Sequence, residues 1–289
     1  MWTTIALPMR QDIESIRLSA EKICASHAFT SIFLWEDAME LSIWLEPNGY
    51  LVRQGCRGDN HYFFPCGTHE AKASMLSMLP PDSVLHYADS EDLAFMEQWK
   101  SGGYTAKSAR GDWEYLYDKE AQLELSGKSY RQIRRGVDKT RKLQGWYVES
   151  LDEHNLHLAK ALEEQWQGLN FARLGEADNH TAINGIAHFY DLDLIGVLAF
   201  LDDKPQGYAL GCLLNQQTFL GLTQRALEPS HFSGLRWELY NTLPDEVLTI
   251  NLEEDMDMEG LRRNKTLMRP NSFNEVWDIT LTKQGEESK

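Results

Sequence analysis

The most informative chemistry in this chain lies in Asn251–Pro270, NLEEDMDMEGLRRNKTLMRP. Acidic residues follow an apolar run that ends at Leu252, and Gly260 then opens a short helical stretch bearing Arg262, Arg263 and Lys265. Carboxylates and cations meeting within one turn and helix can divide the labour of a group transfer. One group can take a proton from an amine or hydroxyl while others hold an anion. A capped surface helix with ordinary charge pairs has the same letters and is worth little stability. The run Glu253–Asp257 could hold a divalent cation, or be a solvated acidic loop suited to a helix N-terminus.

A second cluster has the opposite sign. Between Ser126 and Lys142 there are seven Lys or Arg and one acid, Asp138, although the whole chain carries a formal charge of −16. Tyr130, Ile133 and Val137 recur at helical spacing, and Lys128, Arg131, Arg135, Lys139 and Lys142 line another face. A basic helix on an acidic protein points to an anionic ligand or to a docking face for acidic neighbours. It follows an alternating aromatic run, Trp113, Tyr115 and Tyr117, which reads as a strand.

Other chemistries find no support. There is no GxxxxGK[ST], HExxH, GxSxG or GxGxxG pattern. His154 and His157 share a helical face without a third ligand at metal-binding spacing, so no metal site is expected. Cys24, Cys56, Cys66 and Cys212 show no CxxC spacing and read as reduced thiols of a cytoplasmic protein. The acidic balance disfavours duplex DNA. No apolar run approaches the length of a membrane span, so integral membrane association is not expected.

These residues need elements to position them. At 289 residues, 42% hydrophobic and 25% charged, the chain suits two globular domains. Helical spacing predicts helices over 10–28, 69–79, 91–100, 152–167, 183–190, 235–243 and 258–266. Strands are predicted at Leu41–Leu45 and Tyr50–Arg53 around the turn Pro47-Asn48-Gly49, and again at His61–Phe64, Trp146–Ser150, Leu194–Leu201, Gln206–Leu214, Thr218–Gln224, Val247–Leu252 and Glu275–Leu281. Residues 168–182 are polar without clear period and read as a mobile loop. Each half mixes helices with antiparallel hairpins in similar order, an α+β architecture with internal structural duplication. The boundary is expected near Ser150, giving domains 1–150 and 151–289.

Three separated blocks carry a family resemblance. LSGKSYRQIRRGVDKTRK, after WEYLYD, resembles the LSGKKYHKKRNHINKF-type helix of a bacterial family of unknown function. That family is named for its similarity to the C-terminal catalytic domain of phosphatidylglycerol lysyltransferase. Asn251–Pro270 resembles its NxEEDxGxxGLRxAKxxYxP segment, and FTSIFLWEDA its SFTNLFIWR segment. The resemblance implies two tandem GNAT-like acyltransferase domains, as in Fem-type aminoacyltransferases, the second carrying the chemistry. It maps Ser126, Gly127, Lys128, Tyr130 and Arg134 or Arg135 onto the first block. Asn251, Glu253, Glu254, Asp255, Gly260, Leu261, Arg262, Lys265 and Pro270 fall in the second.

The implied reaction moves an aminoacyl group from aminoacyl-tRNA to a small amine or hydroxyl acceptor, with no tightly bound cofactor; Glu254 or Asp255 would assist deprotonation of the acceptor, and Lys265 and Arg262 would bind phosphate or stabilise developing negative charge. Lys128, Tyr130, Arg131, Arg134, Arg135, Lys139, Arg225 and Arg262 would bind the phosphate-bearing donor, the two basic helices converging on one anion site. Two departures bear on this. Gln224-Arg225 stands where the family commonly has Glu-Lys, keeping the cation without the carboxylate. His231–Arg236 is a poor match to the [RQ]xxGx[GA] cradle of acetyl-CoA enzymes, because Arg236 puts a bulky side chain where a close backbone approach is needed. An acyl-CoA donor, or a non-catalytic scaffold that binds an anion or a partner, are the alternatives.

Overall fold

The computed structural model describes residues 1–100, 103–170 and 176–282. In chain order its first strands are β1 (Leu41–Glu46), β2 (Gly49–Gln54), β3 (His61–Phe63), β4 (Cys66–Gly67), β5 (Val84–Ala88), β6 (Tyr104–Ser108) and β7 (Glu114–Asp118). Then come β8 (Trp146–Ser150), β9 (Ile195–Leu201), β10 (Lys204–Asn215), β11 (Thr218–Ala226), β12 (Thr249–Asn251), β13 (Ser272–Asn274) and β14 (Trp277–Leu281). The helices are α1 (Arg10–Ser19), α2 (Phe29–Leu34), α3 (Glu36–Met39), α4 (His69–Ser77), α5 (Ser90–Trp99) and α6 (Lys119–Glu124). They continue with α7 (Arg131–Arg141), α8 (Leu156–Asn170), α9 (Glu176–Ala187), α10 (Phe232–Thr242) and α11 (Glu259–Leu267). Among the described residues no helix is long and apolar enough to cross a membrane.

The chain forms two compact units. The first comprises Met1–Glu114, Glu254–Met258 and Asn274–Lys289, and holds a sheet ordered β1-β2-β3-β5-β14-β6, with β4 on β2. The second comprises Tyr115–Glu253 and Glu259–Phe273, with the sheet β13-β7-β12-β11-β10-β9-β8. The expected α+β class and internal duplication are both visible. In the first unit β1, β2 and β3 form an antiparallel meander, α4 follows, and β5 returns parallel to β3. In the second unit β9, β10 and β11 do the same, with α10 leading to β12 parallel to β11.

The boundary at Ser150 is corrected. Ser150 ends β8, which completes the second sheet at its edge by pairing with β9, and the basic helix belongs to the second unit. The cause is strand pairing. β14 fills the first sheet between β5 and β6, and β7 fills the second beside β12, so late and early chain segments complete each unit. Packing of distant segments, not a linker, sets the division.

Local chemistry explains most elements. The β1–β2 hairpin turns through Pro47-Asn48, with Glu46 opposite Gly49. Asp89 and Asp92 form a capping box that starts α5. The helix expected over 10–28 stops at Ser19, where Glu21 takes a left-handed φ of 52°. Lys22 then turns inward, its Nζ 2.7 Å from Asp89 Oδ2 and also paired with Asp92. Of the loop expected over 168–182, Asn170 ends α8 and Glu176 begins α9, while 171–175 lie outside the described residues. All four cysteines are free thiols.

Candidate functional site

The second unit is organised around the end of β11. This strand pairs with β12 only over Thr218–Leu220 and then runs on to Ala226 against β10 alone. Beyond Leu220 one edge of the strand has parted from its parallel neighbour. Successive residues there point to opposite faces, so Gln224 and Arg225 serve different neighbours.

Arg225 lies opposite Tyr208 and turns toward α8. Its Nε stands 3.3 Å from Glu163 Oε2, and its guanidinium lies 4.2 Å from the Trp166 ring centroid. The Tyr208 hydroxyl donates to the same Glu163 oxygen at 2.6 Å, and Gln167 Nε2 donates to Glu163 Oε1 at 3.0 Å. Glu163 has no exposed surface and Arg225 is 8% exposed. A buried carboxylate is tolerated when its oxygens are paired and hydrogen-bonded, as here. Arg225, expected to meet phosphate, has its charge compensated within the fold and braces the parted end of β11. Sequence reasoning passed over Glu163, although it sits among Ala159, Leu162 and Trp166 on the core-facing side of α8, where a lone acid signals an internal partner.

Gln224 faces α10. Its Nε2 donates to Phe232 O at 2.6 Å, and its Oε1 accepts from Arg236 Nε at 3.1 Å. Arg236 also contacts Met268 Sδ. Gln224 therefore anchors the first turn of α10.

That first turn is covered by α7. A Cβ on Gly234 would lie 2.6 Å from Thr140 Cβ, and one on Gly136 would lie 2.9 Å from Ser233 Oγ. The Thr140 hydroxyl donates to Ser230 O at 3.1 Å, and buried His231 packs on the Trp146 ring at 5.1 Å. Burial, with Lys139 nearby, holds the His231 pKa below the ordinary histidine value. The backbone that would cradle a pyrophosphate in His231–Arg236 is thus in contact with the inner face of α7, where Val137 and Thr140 are buried. The outer face carries Arg131, Arg135 and Lys139, all exposed, with exposed Lys128 just before the helix and Lys142 just after it. Arg141 instead lies 4.2 Å over Trp237, with Nε 3.3 Å from Glu238 Oε1.

The remaining expected residues divide between anchoring positions and different units. Arg134 Nη1 donates to Gly127 O at 3.2 Å and to Leu125 O, closing the turn after α6. Tyr130 is half-buried, and burial with Asp118 nearby raises its pKa. Lys265 is 8% exposed; its Nζ donates to Leu252 O at 2.5 Å and lies 5.7 Å from the Tyr115 ring centroid. Arg262 is half-buried one turn earlier. Arg269 Nε donates to Ser129 O at 3.4 Å, joining the end of α11 to the segment before α7. This guanidinium-to-carbonyl contact ties the chain just after α11 to the chain just before α7, while Lys265 turns to Leu252 and Tyr115. Glu254 and Asp255 belong to the first unit. Asp255 has no exposed surface, and its Oδ2 lies 3.2 Å from Arg110 Nη1 while its Oδ1 accepts from Asp257 N at 3.0 Å. Those contacts fold the acidic tract onto the Arg110–Asp112 turn. Glu254 is half-buried beside Tyr87, whose pKa is raised by burial first and by Glu254 next.

A family model described as phosphatidylglycerol lysyltransferase, C-terminal, matches residues 21–278. No curated protein sequence matches the chain. The fold superposes on a conserved protein of unknown function from Bacteroides thetaiotaomicron VPI-5482 with a TM-score of 0.87 at 19% identity, over 97% of this chain and 99% of that one. L-PGS from Bacillus licheniformis gives 0.66 at 11% identity, over 95% of this chain and 92% of that one. FemX gives 0.62 at 12% identity, over 96% of each chain. At these identities the likeness establishes a shared fold.

Proposed function

Because the chain belongs to the phosphatidylglycerol lysyltransferase C-terminal family, we propose that it transfers an aminoacyl group from aminoacyl-tRNA to an amine or hydroxyl acceptor. The observation that carries this reading is the open cationic face of α7. Arg131, Arg135 and Lys139 are exposed at four-residue spacing, about 6 Å apart along the axis. Such a row suits a ligand with many phosphates, and it stands out on a chain of net charge −16. Its inner face lies against the turn that a CoA pyrophosphate would need, which favours tRNA over acyl-CoA as donor.

In this reading the acceptor nitrogen or oxygen attacks the ester carbonyl of the aminoacyl-tRNA. A tetrahedral oxyanion forms, the ester C–O bond breaks, and the proton given up by the acceptor restores the terminal hydroxyl of the departing tRNA. The α7 cations hold the donor backbone and contribute binding and orientation. Arg225 and Glu163 keep the end of β11 rigid beneath. A charged-tRNA donor sets the reaction in the cytoplasm.

The test is transfer of radiolabelled aminoacyl groups from a pool of charged tRNAs. Lysyl-tRNA with phosphatidylglycerol vesicles is the first pair, and small amines come next. The expected result is acceptor-dependent loss of charged tRNA with label on the acceptor. Transfer from acetyl-CoA or longer acyl-CoAs without any from charged tRNA overturns the donor assignment. Binding of tRNA without transfer to any acceptor favours a non-catalytic scaffold.

A further inference from the structure

The first unit holds a row of titratable side chains that the transferase reading does not use. His61 stands on β3, His86 on β5 and Asp278 on β14, three neighbouring strands of one sheet. Asp278 Oδ1 lies 2.7 Å from His86 Nδ1, and His86 Nε2 lies 2.9 Å from His61 Nδ1. The strand registers explain the alignment. His61 pairs with Val84, and Val84 with Thr280, so alternate residues carry His61, His86 and Asp278 on one sheet face.

Chemistry then orders the protons. A carboxylate only accepts, so His86 carries its proton on Nδ1 and presents a lone pair at Nε2. That lone pair accepts from His61 Nδ1–H, and the remaining nitrogen of His61, Nε2, is left with a lone pair. His86 is 2% exposed, while Asp278 and His61 are half-buried, so the middle of the row is shielded and both its ends, the His61 ring included, are within reach of a solute. Desolvation, with His86 and Arg57 adding to it, holds the His61 pKa below the ordinary value, so the ring is neutral at pH 7. Charged groups near the row include Arg57, which acts on His61, Asp112, which lies near Asp278, His86 and Asp257, and Lys107, which stands opposite Asp278 on β6.

We propose that Asp278, His86 and His61 form a proton relay that makes His61 Nε2 a general base for a hydroxyl- or amine-bearing small molecule at the first unit. Nε2 takes a proton from the ligand's O–H or N–H, and the bonding pair stays on that oxygen or nitrogen. The positive charge gained by His61 is shared through its Nδ1–H with His86, and the Asp278 carboxylate stabilises it. His86 and Asp278 are positioning residues; only His61 meets the ligand. This site is independent of the tRNA reading and survives its failure.

Two measurements on the full chain test it. Long-range nitrogen–proton NMR at pH 7 reports imidazole tautomers directly. The expected result is His61 neutral with its proton on Nδ1, against the Nε2–H form that free imidazole side chains favour. A His61 ring protonated on Nε2 overturns the proposal without any variant. The second measurement is reaction with diethyl pyrocarbonate, read residue by residue by mass spectrometry. His61 Nε2 attacks one carbonyl carbon, the bond to the ethyl carbonate group breaks, and ethyl carbonate leaves with the electron pair and decays to carbon dioxide and ethanol. The His61 Nδ1 proton passes to His86. Asp278→Asn is expected to slow labelling of His61 by about tenfold or more, with exposed His154 and His157 unchanged as internal references. Equal His61 labelling in Asp278→Asn and the parent chain shows the row to be a structural brace only.

Discussion

The α7 face makes a quantitative prediction about salt. Besides Arg141, which is held by Trp237 and Glu238, five exposed cations lie on or beside this helix: Lys128, Arg131, Arg135, Lys139 and Lys142. Each phosphate neutralised on a duplex releases counterions and steepens the log–log salt slope by about 0.9. Five contacts with a duplex-like acceptor stem give a slope near about −4.5, and a rise from about 50 to about 200 mM salt then weakens binding about 500-fold. Replacing Arg135 and Lys139 together by alanine removes two contacts. The slope becomes about −2.7, and the same rise in salt weakens binding only about 40-fold. Both side chains are exposed, so the double variant changes stability by no more than about 0.5 kcal/mol per site. Arg141→Ala is the control, because that guanidinium is held by Trp237 and Glu238 and is expected to leave the slope unchanged. The assay is fluorescence anisotropy of labelled tRNA across a salt series. A parent slope shallower than about −1, or one that the double variant does not alter, refutes the assignment of α7 as the donor surface.

Three further outcomes follow from the buried charges. His27 has no exposed surface, its Nε2 lies 2.8 Å from Phe64 O, and burial followed by Lys22 lowers its pKa to about 3. The unfolded chain therefore binds one more proton between that value and about 6.5, so this contribution is complete above pH 6.5 and is lost as pH falls. Against His27→Gln, which keeps a donor for Phe64 O, the parent should lose about 2.5 kcal/mol more stability between about pH 6 and pH 4 in urea titrations; parallel curves would refute neutral burial. Asp255→Asn should lower stability by about 1–2 kcal/mol through its contact with half-exposed Arg110, with transfer per folded molecule unchanged; lost transfer at unchanged melting temperature would mark Asp255 as the base after all. Glu163→Ala leaves Arg225 buried without its carboxylate and should cost about 3–5 kcal/mol, read as a shift in the urea midpoint.

Much of the local structure was legible in the letters. Helical spacing of Ile133 and Val137 located the basic helix and its inner face, and Pro47-Asn48-Gly49 located the first hairpin. Strand β6 was missed because Tyr104–Ser108 is mostly exposed and lacks an apolar alternation; it exists through backbone pairing to β14. Strand β5 was missed because its four buried residues, Leu85–Ala88, include His86. Gln224 and Arg225 are adjacent in the chain, and only the pleat separates their roles, one side chain anchoring α10 and the other bracing α8.

The sequence by itself determined the family, the α+β class, the duplicated order of elements and the sign of the α7 surface. Each is written in local periodicity or in a contiguous motif. Tertiary structure alone decided which carboxylates are reachable. Glu254 and Asp255 are neighbours, but the tract folds onto the Arg110–Asp112 turn, burying Asp255 while Glu254 keeps partial exposure. It also decided the division into units, because β14 reaches its place between β5 and β6 from the far end of the chain. The same pairing set Asp278 beside His86, a residue 192 positions earlier. No spacing rule reports such a neighbour, because the energy that selects it comes from strand pairing and burial between segments that share no local pattern.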